Sequence, residues 1–409
     1  MSEILIWAYV VLNLYYVIKY IKKGGMSVFT PVFIVAALSL STLLPQLTSV
    51  YFSSYYPKDA VPRLAFMMVA CNWAFFLGFE RVEKKQLHIK NVYDIKLDKL
   101  PLVILTFSII GLYSMFASGD SVDGVITANL RGFSQFAYIF SLAYLCNYKK
   151  NVTVIIALCL SVYVLIHYAF FEYGSRGTSL VVFMVAFFLL AYNFSQKRKL
   201  AQTLTICFLL LGSIVSASIS LFRENIIQGA NVNIDYVDNF KSSFMQVEAP
   251  VVGMDIGNAC LLMDYCEKHN SYDYGMIVWN GFVNNYVPKR WVGAELKYSL
   301  QTHPEYEKKI PETTYGVTTV TGYFEAFAAW GYLGFMLFFF IGYLLGQIYK
   351  RTSFSKLYLI LYLYCIGNFP LCFTHNLQYI FARIEMLAIF IFPMLYYWIF
   401  KRKIRYNQL

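Results

Sequence analysis

Long apolar runs separated by short polar segments dominate the hydrophobic pattern of this chain. Several runs reach the roughly 20 residues that a helix needs to cross a hydrocarbon core about 30 Å thick. The pattern predicts an all-α polytopic membrane protein with about eleven transmembrane helices. The predicted spans are 3–19, 28–47, 61–79, 101–117, 133–148, 152–171, 179–194, 203–221, 323–348, 356–373 and 385–400.

One polar segment is much longer than the others and lies between the eighth and ninth predicted spans. It divides the chain into N-terminal membrane helices (1–221), a large loop (222–322) and C-terminal membrane helices (323–409). Residues 242–267 of the loop have helix-like apolar spacing, which predicts a helix on the membrane surface. Residues 297–316 are polar and interrupted by proline, which predicts a flap.

Basic residues accumulate on one side of the predicted membrane. Most of the 34 Lys and Arg lie in short segments on the side of the C-terminus. By the positive-inside rule that side is cytoplasmic, so the N-terminus and the large loop are expected outside. The net charge of +11 follows mainly from this asymmetry. Because the charge is spread over several short segments, it argues against binding of nucleic acid.

Cysteine spacing and short motifs exclude several classes of site. The eight Cys form no metal-binding or redox spacing. The chain also lacks an H-E-x-x-H pair, a Walker loop and a G-x-G-x-x-G turn. We therefore predict neither a metal nor a nucleotide cofactor.

Arginines recur at the predicted outer boundary, against the general charge bias. Arg176 lies between two glycines in GSRG (Gly174–Gly177), directly before a span, where backbone amides and a guanidinium suit an anion. Guanidinium groups bind phosphate oxygens bidentately, and a lipid diphosphate lies at this depth. Ordinary snorkelling and pairing with carboxylates is the alternative interpretation. The candidates for diphosphate binding are Arg131, Arg176, Arg223, Arg290 and Arg383.

Two further residues are candidates for proton transfer. Glu325 is predicted near the outer end of the ninth span, and an ionisable residue in a membrane segment is a functional candidate by default. An ion pair with one of the arginines is the alternative. His375 follows the tenth span and is either a second proton acceptor or a histidine of the membrane interface.

Three segments of the chain follow one another in a characteristic order. GSRG opens a span, and YDYGMIVWNGFVNNYVPKRW (Tyr272–Trp291) precedes the polar stretch of the loop. GVTTVTGYFEAFAAWGYLGF (Gly316–Phe335) leads into the next span with a Glu and paired Gly. In this order the segments resemble the O-antigen polymerase (Wzy-type) family of oligosaccharide repeat-unit polymerases. The eleven predicted spans depart from the even number often assigned to this family.

The resemblance implies a metal-independent membrane glycosyltransferase of the GT-C type in the bacterial inner membrane. It would join undecaprenyl-diphosphate-linked oligosaccharides, one the donor and one the acceptor, at the periplasmic face. Arg176 and Arg290 would stabilise the leaving diphosphate, with Arg131, Arg223 and Arg383 in support. Glu325, or else His375, would accept the proton of the acceptor hydroxyl. A chain-length regulator protein and membrane lipid are further expected partners.

Two related activities remain open alternatives. An O-antigen ligase, which transfers the glycan to lipid A core, shares the many spans and the large outer loop. A lipid-linked oligosaccharide flippase would instead carry charge within its spans and lack a long outer loop. The sequence therefore favours the polymerase, with the ligase next and the flippase last.

Overall fold

The computed structural model describes residues 2–84, 92–94, 100–116, 124–147, 150–167, 176–207, 255–306, 320–377, 379 and 402–404. These residues are almost entirely helical. Two short strands, β1 (Val92–Asp94) and β2 (Arg402–Ile404), pair antiparallel. The helices are α1 (Ser2–Lys23), α2 (Pro31–Leu38), α3 (Leu44–Phe52), α4 (Ala60–Glu83), α5 (Leu100–Phe116), α6 (Gly124–Asn147), α7 (Val152–His167), α8 (Arg176–Asn193), α9 (Asp255–His269), α10 (Met276–Tyr286), α11 (Lys289–Val292), α12 (Ala294–Ser299), α13 (Gly322–Trp330), α14 (Phe335–Arg351), α15 (Lys356–Asn368) and α16 (Leu371–Thr374).

The described helices include five stretches that are long and apolar enough to cross a membrane. Helices α5 and α7 and the later part of α8 are apolar but shorter. These findings confirm an α-helical membrane protein. The spans predicted at 203–221 and 385–400 lie mostly or wholly outside the described residues. The five long stretches are Ser2–Lys23, Pro31–Phe52, Ala60–Glu83, Gly322–Arg351 and Lys356–Thr374.

The centre of the bundle is the close contact between α4 and α14. A Cβ atom on Gly342 would lie 2.1 Å from the carbonyl oxygen of Phe75, and one on Gly78 would lie 2.1 Å from that of Phe339. Only glycine allows the two backbones this close, as in small-residue packing of membrane helices. The glycines therefore determine the separation of α4 and α14.

The fourth candidate stretch, Gly322–Arg351, is not one continuous helix. A short 3-10 turn, Gly331–Gly334, separates α13 from α14. Gly331 has φ +57°, a backbone conformation that residues other than glycine rarely adopt. The backbone therefore changes direction between Trp330 and Phe335.

The contacts across this turn show that α13 folds back along α14. A Cβ atom on Gly334 would lie 1.9 Å from the carbonyl oxygen of Ala326. Further from the turn, the rings of Tyr323 and Phe338 stack with centroids 5.7 Å apart. The earlier residue of α13, Tyr323, contacts the later residue, Phe338, as in an antiparallel helical hairpin. We call α13 the fold-back helix.

The fold-back corrects the expected position of Glu325. The sequence places this residue near the outer end of a continuous span that begins at 323. In the structure α14 instead begins after the turn that follows Trp330, and Glu325 lies on the fold-back helix, five residues before Trp330. At 1.5 Å per residue, Glu325 is therefore about 8 Å further into the bundle than the turn.

At one end of the bundle, which we call the lysine end, α1, α4 and α14 finish together. Lys19 of α1 pairs with Glu80 of α4. One turn further on, Lys23 pairs with Glu83. Lys350 of α14 donates to the backbone carbonyl oxygen of Glu83 at 3.2 Å. Lysines in the last turns also complement the negative ends of the helix dipoles.

At the opposite end, which we call the loop end, α9 crosses the ends of α3 and α4. The N–H of Ile256 donates to the side-chain oxygen of Gln46 in α3 at 3.2 Å. Arg63 of α4 forms ion pairs with Asp264 at 3.6 Å and with Glu267 at 2.5 Å. The described part of the predicted surface helix thus lies over the spans and is tied to them by polar contacts.

Candidate functional site

The fold-back helix holds a buried carboxylate inside the bundle. The helix begins at Thr321, whose side chain accepts the N–H of Phe324 at 3.4 Å as an N-cap. Glu325 follows in the first turn and is only 2% exposed. Its Oε2 accepts the backbone N–H of Leu377 at 2.6 Å. One carboxylate therefore joins the fold-back helix to the chain that follows α16.

A network of buried polar side chains holds the same turn of the fold-back helix near the middle of α4. The hydroxyl of Tyr323 donates to Oδ1 of Asn72 at 2.8 Å. The amide of Asn72 donates to Asn13 of α1 at 3.0 Å and to the hydroxyl oxygen of Ser39 at 2.8 Å. All four residues are buried. A buried polar group costs about 1–3 kcal/mol when its partner is removed, so this network fixes the position of the helix.

Ser39 enters this network through a π-helical turn. The turn, Ser39–Leu43, lies between α2 and α3 and widens the helix for one turn. π-Turns inside α-helices occur frequently at functional sites. Here the turn directs the Ser39 hydroxyl towards Asn72. The local irregularity therefore supports the position of Tyr323 and its neighbour Glu325.

A second buried carboxylate, that of Asp273, lies at the loop end of the fold-back helix. The N–H of Asp273 donates to the carbonyl oxygen of Ala328 in the fold-back helix at 2.9 Å. The side chain of Asp273 accepts the hydroxyl of Tyr306 at 2.7 Å and the N–H of Gly275 at 2.7 Å. Burial raises the pKa of Asp273 above its usual value, and the two hydrogen bonds act against that rise.

Asp273 and Tyr306 also connect the loop to the turn that holds Glu325. The ring of Tyr306 meets Phe324 edge to face with centroids 5.2 Å apart. The carboxyl groups of Asp273 and Glu325 are near enough to interact electrostatically. The two carboxylates and the tyrosine thus form one polar region that extends from the loop into the bundle.

His375 lies on the segment that Glu325 holds. It is half-buried and follows α16, and its Nδ1 is 2.8 Å from the hydroxyl of Thr374. Its ring meets that of Tyr379 edge to face at 5.8 Å. Since His375 is two residues before Leu377, the two sequence-predicted proton acceptors lie on neighbouring segments of the same region.

The arginine candidates occupy different elements. Arg131 is half-buried on α6, Arg176 is the first residue of α8, and Arg290 is exposed on α11. Arg223 and Arg383 lie outside the described residues. The convergence of these arginines on one diphosphate therefore stays a prediction. Arg63, a further arginine at this boundary, pairs with acidic residues of α9 as the alternative interpretation expects.

Sequence reasoning missed the polar residues that hold the fold-back helix, which carries Glu325. Asn13 and Asn72 interrupt apolar runs, and polar residues inside membrane segments often have a specific role. That signal was available in the sequence. Asp273 and Tyr306 gave none, because polar residues are ordinary in a loop.

The donor set of this region does not suggest a metal. Among the residues that the structure describes, no three His, Cys, Asp or Glu side chains are grouped so as to hold a metal ion.

Comparisons with protein-family models, with curated proteins and with solved structures find no match. The function must therefore be argued from the site itself.

Proposed function

We propose that this protein polymerises undecaprenyl-diphosphate-linked oligosaccharide repeat units into a surface polysaccharide at the periplasmic face of the bacterial inner membrane. The observation that carries the proposal is Glu325, a carboxylate buried within a membrane bundle beneath a folded loop. Burying a carboxylate away from water is costly, so such residues usually serve a function. The family resemblance of the three sequence segments supports the same activity.

In this proposal Glu325 is the general base for glycosyl transfer. It accepts the proton from the acceptor sugar's hydroxyl while that oxygen attacks the anomeric carbon of the donor. The bond from that carbon to the lipid diphosphate breaks, and the diphosphate leaves with the electron pair. Its charge would be stabilised by Arg176 and Arg290, with Arg131, Arg223 and Arg383 as further candidates.

The loop end is the side from which the substrates would enter. Asp273 and Tyr306 are the loop residues that contact the fold-back helix, so an acceptor sugar that approaches Glu325 from the loop side would meet them first. Buried carboxylates and hydroxyls hydrogen-bond well to sugar hydroxyls. The proposal therefore gives Asp273 and Tyr306 a role in positioning the acceptor.

A second candidate function is transport of the same lipid-linked oligosaccharide. The fold-back helix and its carboxylate inside the bundle favour it, because transporters often place a discontinuous helix and an ionisable residue near the middle of the membrane. The large loop packed over the spans favours the polymerase instead. A ligase has the same requirements for a base and a diphosphate site as the polymerase.

Surface glycan from a strain that lacks this protein separates the three activities. Lipid A core that carries a single repeat, with no ladder of longer chains, is expected for a polymerase. Loss of all capped core together with long lipid-linked polymer would identify a ligase. Single lipid-linked repeats that stay at the cytoplasmic face would identify a flippase. Complementation with the intact protein must restore the ladder.

A further inference from the structure

The loop helices α10–α12 and the residues up to His303 form a folded unit, which we call the loop platform. Trp279 of α10 donates through Nε1 to the carbonyl oxygen of Leu300 at 2.7 Å. Asn280 and Thr302 exchange two hydrogen bonds, of 2.6 and 3.0 Å. The part of the predicted flap that the structure describes is therefore held against α10.

The platform exposes large aromatic and aliphatic side chains although its backbone is well connected. Trp291 is 76% exposed, Tyr298 is 63% exposed and Leu296 is 51% exposed. Trp279 and Leu300 are also partly exposed while their polar atoms are bonded within the platform. A concentration of exposed apolar side chains on a folded unit usually marks an interaction surface.

Basic residues accompany these aromatic side chains. Lys289 and Arg290 are exposed and directly precede Trp291 in the chain. Lys297 directly precedes Tyr298, and Glu295 is the only acidic residue between 289 and 300. Trp and Tyr prefer the headgroup layer of a bilayer, and Lys and Arg are attracted to anionic lipid there. The chemistry of the surface thus suits a lipid headgroup layer.

The platform also adjoins the lipid-facing side of the bundle. Gly275, directly before α10, faces the indole of Trp330 at the turn of the fold-back, where a Cβ atom would lie 3.9 Å from Nε1. Trp330, Leu333 and Met336 are exposed at the start of the membrane segment that contains α14. Exposed apolar surface therefore continues from this segment towards the loop.

We propose that the loop platform lies in the lipid headgroup layer, with the Trp291 and Tyr298 side chains inserted and with Lys289 on anionic phospholipid. The occupant of this surface is the bilayer that surrounds the protein. This inference does not depend on the glycosyltransferase activity. It means that the loop is anchored beside the bundle at α11 and α12.

Photo-crosslinking in lipid nanodiscs tests the proposal directly. The full chain is placed in nanodiscs of phosphatidylethanolamine and phosphatidylglycerol, with p-benzoylphenylalanine in place of Trp291 or of Tyr298. Phe340, exposed on α14, is the positive control, and Lys268, exposed on α9, is the negative control. We expect phospholipid adducts by mass spectrometry at 291 and 298, comparable to those at 340 and well above those at 268.

Two outcomes would overturn the proposal. The first is a yield at 291 and 298 as low as at 268, in a preparation that crosslinks at 340. The second is an adduct to added lipid-linked oligosaccharide in place of phospholipid, which would assign the surface to sugar. In the probe-bearing protein, Lys289→Gln should lower the phospholipid adduct at 291 severalfold, since a cation near an anionic surface changes binding about fivefold. An unchanged yield would contradict the anionic-lipid assignment.

Discussion

Helices α13 and α14 are adjacent in the chain and both contact α4, but by different means. Helix α14 packs backbone to backbone through Gly342 and Gly78. The fold-back helix instead reaches α4 through the hydrogen bond between Tyr323 and Asn72. The first contact is close packing of two backbones, which fixes the distance between α4 and α14. The second depends on buried polar groups that are costly only when a partner is missing.

This difference assigns the two helices different tasks. Close packing of α14 on α4 supplies the rigid centre of the bundle. The polar contacts of α13 orient one turn of helix, which carries Glu325. Supporting hydrogen bonds of this kind are what a functional side chain requires to stay within reach of a substrate. Substitutions on the two helices should therefore have different consequences.

The largest effect on stability is expected for Gly342→Ala. The new methyl group would lie 2.1 Å from the carbonyl oxygen of Phe75, which is backbone and cannot move aside. We expect a loss of about 2–3 kcal/mol, or failure to fold. The matched control is Gly346→Ala, whose methyl group meets its nearest atom, Cβ of Val82, at 3.1 Å, so its effect should be smaller.

Size-exclusion chromatography after heating in detergent gives the melting temperature of each glycine variant. Equal melting temperatures for Gly342→Ala and Gly346→Ala would contradict the close contact of α4 with α14.

Asn72→Leu should have the next largest effect. Leucine fills a similar volume but leaves the hydroxyl of Tyr323 without its acceptor, so we expect a loss of about 2 kcal/mol in the free energy of unfolding. Tyr323→Phe removes only one hydroxyl and should cost about 1 kcal/mol. Thermal unfolding of the two variants checks this order. Wild-type stability of Asn72→Leu would show that the network does not hold the fold-back helix.

Much of this architecture could be predicted from the sequence, but the fold-back could not. Apolar runs identified α1, α4 and α15 because hydropathy reports length and composition. The same measure cannot report direction, so α13 and α14 appeared as one span. The contact between Asn72 and Tyr323 joins residues 251 positions apart, and no local pattern indicates it.

The candidate site was predicted in the same partial way. Glu325 was singled out because a carboxylate in an apolar segment is unusual. Its depth and its partner Leu377 depend on how α13 and α16 pack, which local sequence does not determine. Asp273 was missed because its burial results from packing of the loop against the fold-back helix.

Tyr306→Phe tests the link between the loop and the fold-back helix with a smaller effect. It removes the hydroxyl that donates to Asp273, so we expect a loss of about 1 kcal/mol. Hydrogen exchange of residues 271–275 should become faster. Tyr298→Phe is the control, because Tyr298 is exposed on the platform. Equal exchange rates of residues 271–275 in the two variants would contradict the link between the loop and the fold-back helix.

The smallest effect concerns pH. Because the pKa of Asp273 is raised in the folded protein, the folded state binds this proton more tightly than the unfolded state does. The resulting stabilisation is present at acid pH, below the unfolded pKa, and is lost as the pH rises through the raised value. Asp273→Asn cannot titrate, so its stability should fall less between about pH 4 and pH 8 than that of the wild type. If the melting temperatures of the wild type and of Asp273→Asn change equally across this pH range, the raised pKa of Asp273 is contradicted.

The central claim is that the fold-back presents Glu325 as the proton acceptor of glycosyl transfer. The most direct test is complementation of the deletion strain with Glu325→Gln, which keeps an oxygen that can accept the N–H of Leu377. Glu295→Gln, at an exposed position of α12, is the matched control. We expect Glu325→Gln to be present in the membrane at normal level but to lose the glycan ladder, since a general base contributes about 10²–10⁴-fold in rate. A normal ladder from Glu325→Gln would contradict the claim.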